Sequence, residues 1–172
     1  MLETKSHYAE IVAEVGTPIL GGITRCIESN SLVWRHDDTE GRKWQLFDTL
    51  TVGFKLSRQA GHTSWLIDQF INSLLEYAIV FLNDGTREEF IAMAKSYMPK
   101  AEVNELRVEQ LAARSFTSLS LMRYLTKTND PFPSLNLIVF DDASYNELTT
   151  KDSAYYQALI TRHRPLITFL VG

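Results

Sequence analysis

Residues 65–82 read WLIDQFINSLLEYAIVFL, the densest apolar run in the chain. Thirteen of these eighteen residues are apolar or aromatic. At about 100° per residue, the five polar positions fall within an arc of roughly 140°, so a helix here would be apolar around most of its circumference. A surface helix shows a narrower apolar stripe. The run therefore predicts one buried helix, from about 62 to 84, at the centre of the fold.

Two further helices are predicted after this run. Thr86 and Glu89 fit a capping box that opens a helix over 86–98. An apolar stripe at helical spacing predicts a third helix over 102–127. Near the N-terminus, residues 6–14 fit a short amphipathic helix that ends at a Gly-Thr-Pro sequence. The helices predicted over 62–84, 86–98 and 102–127 are expected to form a central helical layer.

Strands are predicted on the N-terminal side of this layer. Residues 31–35 and 43–47 flank a polar turn and suggest a β-hairpin. Residues 50–57 alternate between apolar and polar or small residues, which favours a third strand. A helical face also fits part of this stretch, so the choice between strand and helix over 43–58 stays open.

Two apolar segments near the C-terminus predict further strands, at 135–140 and 166–171. About 25 residues separate them, which is enough for a crossover that contains a helix over 153–163. A right-handed parallel βαβ unit is expected, and an antiparallel pairing stays open. Together the elements predict a helix-rich α+β fold with a small mixed sheet packed on the helical layer.

The composition bounds the class of protein. The chain has 172 residues, 45% of them hydrophobic and 22% charged, which is typical of one folded domain over 1–172 and excludes a disordered chain. The net charge of −4 provides no general attraction to nucleic acid or anionic lipid. Cys26 is the only cysteine, so no intramolecular disulfide can form, and a reducing, cytoplasmic setting is expected. No cofactor is implied.

The N-terminus lacks the continuous apolar core of a secretory signal. Asp68 and Glu76 interrupt the one apolar run long enough to span a bilayer. We therefore expect no membrane segment.

Acidic and histidine residues supply the main catalytic candidates. Asp141 and Asp142 directly follow the predicted strand 135–140, and ligands of open sheets bind at the carboxyl ends of strands. Two carboxylates there could hold a divalent cation. His62 or His163 could complete such a site as an acid, base or ligand. A small metal-dependent hydrolase is therefore the first alternative function.

Other motifs are weaker. The sequence His36-Asp37-Asp38 offers three ligand types, but no second cluster lies at a recognisable spacing. Cys26 has no local signature of a nucleophile. Neither GxGxxG nor GxxxxGK[ST] occurs, so neither nucleotide-binding pattern is matched.

Basic and aromatic residues mix on the predicted hairpin, a pattern that can bind single-stranded nucleic acid. The basic residues are Arg35, Arg42, Lys43, Lys55 and Arg58, close to Trp34 and Trp44. Four acidic residues in the same region cancel much of their positive field. Nucleic-acid binding is therefore the second alternative, and a nucleic-acid partner is disfavoured.

The absence of a catalytic constellation favours a non-catalytic, intracellular protein-binding or regulatory domain. Its predicted contact residues are Trp34, Arg35, Trp44 and Phe47, an aromatic-rich group outside the predicted helical core. No residue is assigned as catalytic or metal-ligating. A protein partner is expected, and self-association into a homo-oligomer is compatible with the same surface.

Overall fold

The computed structural model describes residues 7–55, 61–99, 101–126, 134–143, 146–150 and 153–172. Its α-helices are α1 (His7–Glu28), α2 (Thr39–Trp44), α3 (His62–Phe70), α4 (Asp84–Tyr97), α5 (Glu102–Ala113), α6 (Ser118–Leu125) and α7 (Ala154–Ile160). Its strands are β1 (Thr51–Phe54), β2 (Tyr77–Phe81), β3 (Ser115–Thr117), β4 (Leu137–Phe140) and β5 (Ile167–Val171). A π-helical turn, Gln45–Thr49, follows α2, and a 3₁₀ turn, Glu147–Thr149, precedes α7. Among the described helices, none combines the length and apolarity that a membrane span requires.

The five strands form one parallel sheet in the order β1-β5-β4-β2-β3. Helices α1, α3, α4 and α5 cover one face, and the π-helical turn, α6 and α7 cover the other. Crossovers over the first face run towards β3, and those over the second face run towards β1. All four therefore share one hand, as expected of parallel crossovers. The helix-rich α+β class is confirmed, and the sheet is wholly parallel rather than mixed.

The apolar run 65–82 is not one helix. It holds α3, a six-residue connection and β2. The Ser73 backbone N–H donates to the Phe70 carbonyl, and the Ser73 hydroxyl accepts from the Leu75 N–H, which closes a turn after α3. Every residue of β2 is buried, because helices cover both sheet faces. A strand buried on both faces is apolar throughout, so its sequence resembles that of a buried helix.

The predicted helix 102–127 is also interrupted. Residues 115–117 form edge strand β3, which pairs with β2, and residue 127 lies outside the described part of the chain. Thr117 then caps α6 through a reciprocal pair of hydrogen bonds with Ser120. The small and hydroxylated residues that fitted a close-packed helix face thus form a strand and a helix cap.

The predicted hairpin is wrong. Residues 31–35 form no strand, and residues 43–47 lie in α2 and the π-helical turn. The buried Gln45 side chain accepts from the Arg35 N–H at 2.9 Å and donates to the Val33 carbonyl at 2.8 Å. This side chain supplies hydrogen bonds that a neighbouring strand would otherwise supply. The third predicted strand, 50–57, is confirmed over β1, and residues 56 and 57 lie outside the described ranges.

Other predictions are confirmed. Helix α4 corresponds to 86–98, and β4 and β5 correspond to 135–140 and 166–171. The pairing of β4 with β5 is parallel, with α7 in the connection, which excludes the antiparallel alternative. The N-terminal helix, however, continues through Pro18 to Glu28.

Substitution of Gly53 tests how closely the paired strands β1 and β5 approach each other. A Cβ added at Gly53 would clash with the backbone carbonyl oxygen of Leu170, its partner in register. We expect Gly53→Ala to lower the free energy of unfolding by about 1–3 kcal/mol, because the two strands must separate. Gly22→Ala is the control, since nothing lies within 4 Å of its added Cβ inside α1. This control should raise the free energy of unfolding by up to about 1 kcal/mol.

Urea denaturation followed by far-ultraviolet circular dichroism measures both changes. Equal effects of the two substitutions would contradict the close approach of β1 and β5.

Candidate functional site

A crevice opens at the carboxyl edge of the sheet, between β4 and β2. The chain leaves β2 over one face, towards α4, and leaves β4 over the opposite face, towards α7. Adjacent strands whose connections diverge in this way form a topological switch point, where open parallel sheets bind ligands. The candidate ligand-binding residues are therefore those that follow β1, β2 and β4.

The crevice has two compartments. The larger has a volume of about 360 Å³ and is lined by Gly61, His62, Thr63, Ser64, Met93, Asp141 and Asp142. The smaller, about 170 Å³, shares Thr63, Met93 and both aspartates, and extends between β2 and α4 to Thr86 and Glu89. A groove of about 430 Å³ between α4 and α5 is larger than either compartment. The crevice is the better candidate because histidine, hydroxyl and carboxylate groups converge there.

The N-terminus of α3 forms one wall of the larger compartment. Gly61 precedes the helix with φ of 83°, a left-handed conformation that glycine adopts without strain. Among the described residues, no side chain caps this helix end. The first backbone N–H groups of a helix lack intrahelical partners and carry a partial positive charge. This end of α3 is therefore suited to bind an anion.

His62 is the first residue of α3 and is only 7% exposed. Its Nε2 atom is buried and has no hydrogen-bond partner among the described residues. One side of its ring faces Phe54 of β1, with centroids 6.1 Å apart. Burial lowers the pKa of His62, and the nearby Asp142 carboxylate opposes that shift. His62 therefore lines the compartment through other atoms, while its buried Nε2 lacks a hydrogen-bond partner among the described residues.

Asp141 and Asp142 form the opposite wall. The Asp141 backbone N–H donates to the Val80 carbonyl at 2.9 Å, which extends the hydrogen bonding between β4 and β2 by one residue. Asp142 has φ of 52°, which is uncommon for a residue with a side chain. Burial, together with the negative charge of Asp142, raises the pKa of Asp141 to about 7. No described lysine or arginine forms an ion pair with either carboxylate.

The structure brings three of the four predicted catalytic candidates together. His62, Asp141 and Asp142 line one compartment, whereas His163 is exposed beyond the end of α7, near the start of β5. His163 therefore lies at the amino edge of the sheet, on the side away from the crevice.

The weaker motifs have structural roles. The Asp38 side chain accepts a hydrogen bond from the Gly41 N–H and caps α2, and the His36 ring contacts Trp44 edge-on. Cys26 lies 3.3 Å from the Ser31 hydroxyl. Within the described ranges, no three His, Cys, Asp or Glu side chains cluster as ligands for a metal ion.

The predicted partner-binding residues differ in how far they are exposed. Trp34 donates its Nε1–H to the Arg162 carbonyl at 3.0 Å, and its ring lies beneath the Arg42 guanidinium. Phe47 packs edge-on against the buried Tyr156. Arg35 and Trp44 are exposed, Trp44 at 54%. Binding of a partner through these four residues stays a prediction.

The hairpin that the nucleic-acid-binding alternative requires does not form in residues 31–47. Lys43 and Lys55 now belong to different elements, and Arg58 lies outside the described residues. The Arg42 side chain donates to the backbone carbonyls of His36 and Ile160, so it serves the packing of this region. Nucleic-acid binding through these residues stays an untested prediction.

The chain matches none of the family models, curated proteins or solved structures with which it was compared.

Sequence reasoning missed Gly61, Thr63 and Glu89 as crevice residues. A signal exists in the sequence Gly61-His62-Thr63, which follows a strand and opens a helix. The strand–loop–helix pattern GxxxxGK[ST] ends in Gly-Lys-Thr or Gly-Lys-Ser. This chain departs from the pattern at two positions, with Leu56 in place of the first glycine and His62 in place of lysine. A strict motif search therefore passes over it.

The raised pKa of Asp141 predicts that its ionised side chain lowers the free energy of unfolding at neutral pH. Because the pKa of Asp141 is raised from 3.8 to about 7, the folded state binds a proton that the unfolded state releases. The free energy of unfolding should therefore fall as pH rises from about 4 to 7, by on the order of 3 kcal/mol. Asp141→Asn removes this penalty. We expect the variant to be more stable than the wild type at pH 8, with the difference vanishing near pH 4.

Urea denaturation at pH 4, 6 and 8 measures this effect. Asp68→Asn, on the exposed side of α3, is the matched control and should show no such pH-dependent gain. An Asp141→Asn variant that is less stable than the wild type at pH 8 would contradict the prediction that ionised Asp141 destabilises the folded state.

Proposed function

We propose that the crevice binds a nucleoside triphosphate together with Mg²⁺. The observation that carries the proposal is the geometry of the larger compartment. The sequence β1–Gly61–α3 places an uncapped helix N-terminus opposite the two carboxylates that follow β4. An anion-binding group and cation-binding groups thus share one cavity of about 360 Å³, within the usual size range of small-molecule sites.

Helix α3 is the proposed site for the phosphate groups. Its free N–H groups and dipole favour negative charge, as at the strand-to-helix turns that hold nucleotide phosphates. Helix α4 also begins at the crevice, but its N-terminus is closed by reciprocal hydrogen bonds between Asn83 and Thr86.

The carboxylates are the proposed site for the cation. Zinc would need three or four protein ligands from histidine, cysteine or carboxylate side chains, and the described residues contain no such cluster. Mg²⁺ instead keeps several waters and binds through one or two carboxylates and the phosphates of its substrate. Asp141 and Asp142, with the Thr63 hydroxyl as a further oxygen ligand, fit that arrangement. The proposed metal ion therefore enters with the nucleotide.

The position of the crevice favours a nucleotide over other phosphate-bearing ligands. Phosphates alone could bind at many helix ends, but the switch point of a parallel sheet is where nucleotides bind in this type of architecture. The proposal gives a substrate class to the metal-dependent alternative that the sequence predicts for Asp141 and Asp142. A cytoplasmic setting, where Mg²⁺ and nucleoside triphosphates are abundant, remains the compartment we propose.

Isothermal titration calorimetry tests the proposal with ATP and GTP, each with Mg²⁺ and with EDTA. We expect binding that requires Mg²⁺ and that weakens at least tenfold in Thr63→Val, because the hydroxyl is lost while the shape is kept. Asp68→Asn, on the same helix but outside the crevice, should bind like the wild type. No binding of either nucleotide at millimolar concentration would reject the proposal.

Contact with a protein partner is a second proposal, supported by the exposure of Trp44 at 54%. Trp44→Ala should leave the free energy of unfolding within about 0.5 kcal/mol of the wild type, since its ring is largely in water. Trp34→Ala should lower it by about 2–3 kcal/mol, because that ring packs on the second core. Thermal denaturation measures both changes.

The partner itself is tested by affinity purification from the native source with the wild type and Trp44→Ala. A complex that both proteins capture equally would exclude Trp44 as the contact. Homo-oligomerisation is read from the same samples by light scattering.

A further inference from the structure

The smaller compartment of the crevice contains a carboxylate that the binding proposal leaves unused. Its shared wall with the larger compartment is formed by Thr63, Met93 and the two aspartates. Glu89, on α4 one turn before Met93, lines only the smaller compartment. With a volume of about 170 Å³, this space can hold several water molecules.

Glu89 is exposed on α4 and lines the smaller compartment without capping the helix. The sequence predicts a capping box between Thr86 and Glu89, but Thr86 makes its reciprocal bonds with Asn83 instead. No hydrogen bond or ion pair holds the Glu89 carboxylate to another described residue. Its neighbour Arg87 instead donates to the Ser115 carbonyl at 2.8 Å. The Glu89 carboxylate is therefore available to a ligand in the compartment.

We propose that the bound nucleoside triphosphate is hydrolysed and that Glu89 is the general base. This inference rests on the proposed function. Asp141 and Asp142 are adjacent on one wall and are occupied by the cation, so the proton must go to a group on another wall. Of the residues that line the crevice beyond these two, Glu89 is the one with a carboxylate. His62 is the first residue of α3, the helix proposed to bind the phosphates.

The reaction balances with water as the only co-reactant. A water in the smaller compartment attacks the terminal phosphorus, and its proton passes to Glu89. The bond between the terminal phosphorus and the bridging oxygen breaks, and the nucleoside diphosphate leaves with that electron pair on its oxygen, stabilised by Mg²⁺. The products are nucleoside diphosphate and inorganic phosphate, and Glu89 then releases the proton to solvent.

Phosphate release and binding are measured separately on the full chain. Glu89→Gln keeps the size of the side chain but cannot take the proton. We expect its turnover with Mg²⁺ and ATP to fall at least 100-fold, the usual contribution of a general base, while its affinity for a non-hydrolysable ATP analogue stays within twofold. Glu88→Gln is the control, because Glu88 is exposed on the same turn and does not line the crevice. It should match the wild type in both assays.

The outcomes separate this inference from the proposed function. Wild-type protein that binds no nucleotide rejects both. Protein that binds Mg²⁺ and ATP without turnover, or Glu89→Gln with wild-type turnover, rejects only the role of Glu89. A folded Glu89→Gln variant that loses affinity for the analogue also rejects it, because Glu89 would then act in binding.

Discussion

Exclusion of water from both faces of β2 and β4 is the constraint on which the rest of the structure depends. Every residue of these two strands is buried, and most have no exposed surface at all. Burying an aliphatic or aromatic side chain contributes about 1.5–3 kcal/mol, and a parallel sheet gains this on two faces at once. Polar groups must therefore lie at the ends of the strands. The divergence of the chain after β2 and β4 then opens the crevice at the carboxyl end.

The same constraint explains which elements could be predicted from the sequence. Strands β4 and β5 lie between turn-forming or polar residues, so their limits are readable within two residues. Strand β2 follows α3 after only six residues, and both elements are apolar. The hydrophobic periodicity of 65–82 therefore does not show where the helix ends and the strand begins. Edge strand β3 is three residues long and is specified by its pairing with β2, which lies in a distant part of the sequence. Its own residues carry little strand signal.

The candidate site was predictable as separate residues but not as an arrangement. Asp141 and Asp142 follow a recognisable strand, so a sheet argument placed them at a ligand-binding edge. His62 is about eighty residues away in the sequence, and its contact with the same cavity depends on the order of the strands. The predicted surface around Trp34 failed as a hairpin for a similar reason. Its indole is held by the carbonyl of Arg162, a contact between residues 128 positions apart.

The electrostatics of the crevice bear on the proposed binding of a nucleotide. Asp141, Asp142 and Glu89 line the crevice, and no described lysine or arginine lines either compartment. A free triphosphate would meet like charges in a region where burial already raises the pKa of Asp141 to about 7. A divalent cation reverses this balance, because it attracts the carboxylates and the phosphates at the same time. At neutral pH, Asp141 can lose its proton when the cation arrives. The proposed site, whose described lining contains no lysine or arginine, should therefore depend on its metal ion more strongly than a site that carries a permanent positive charge.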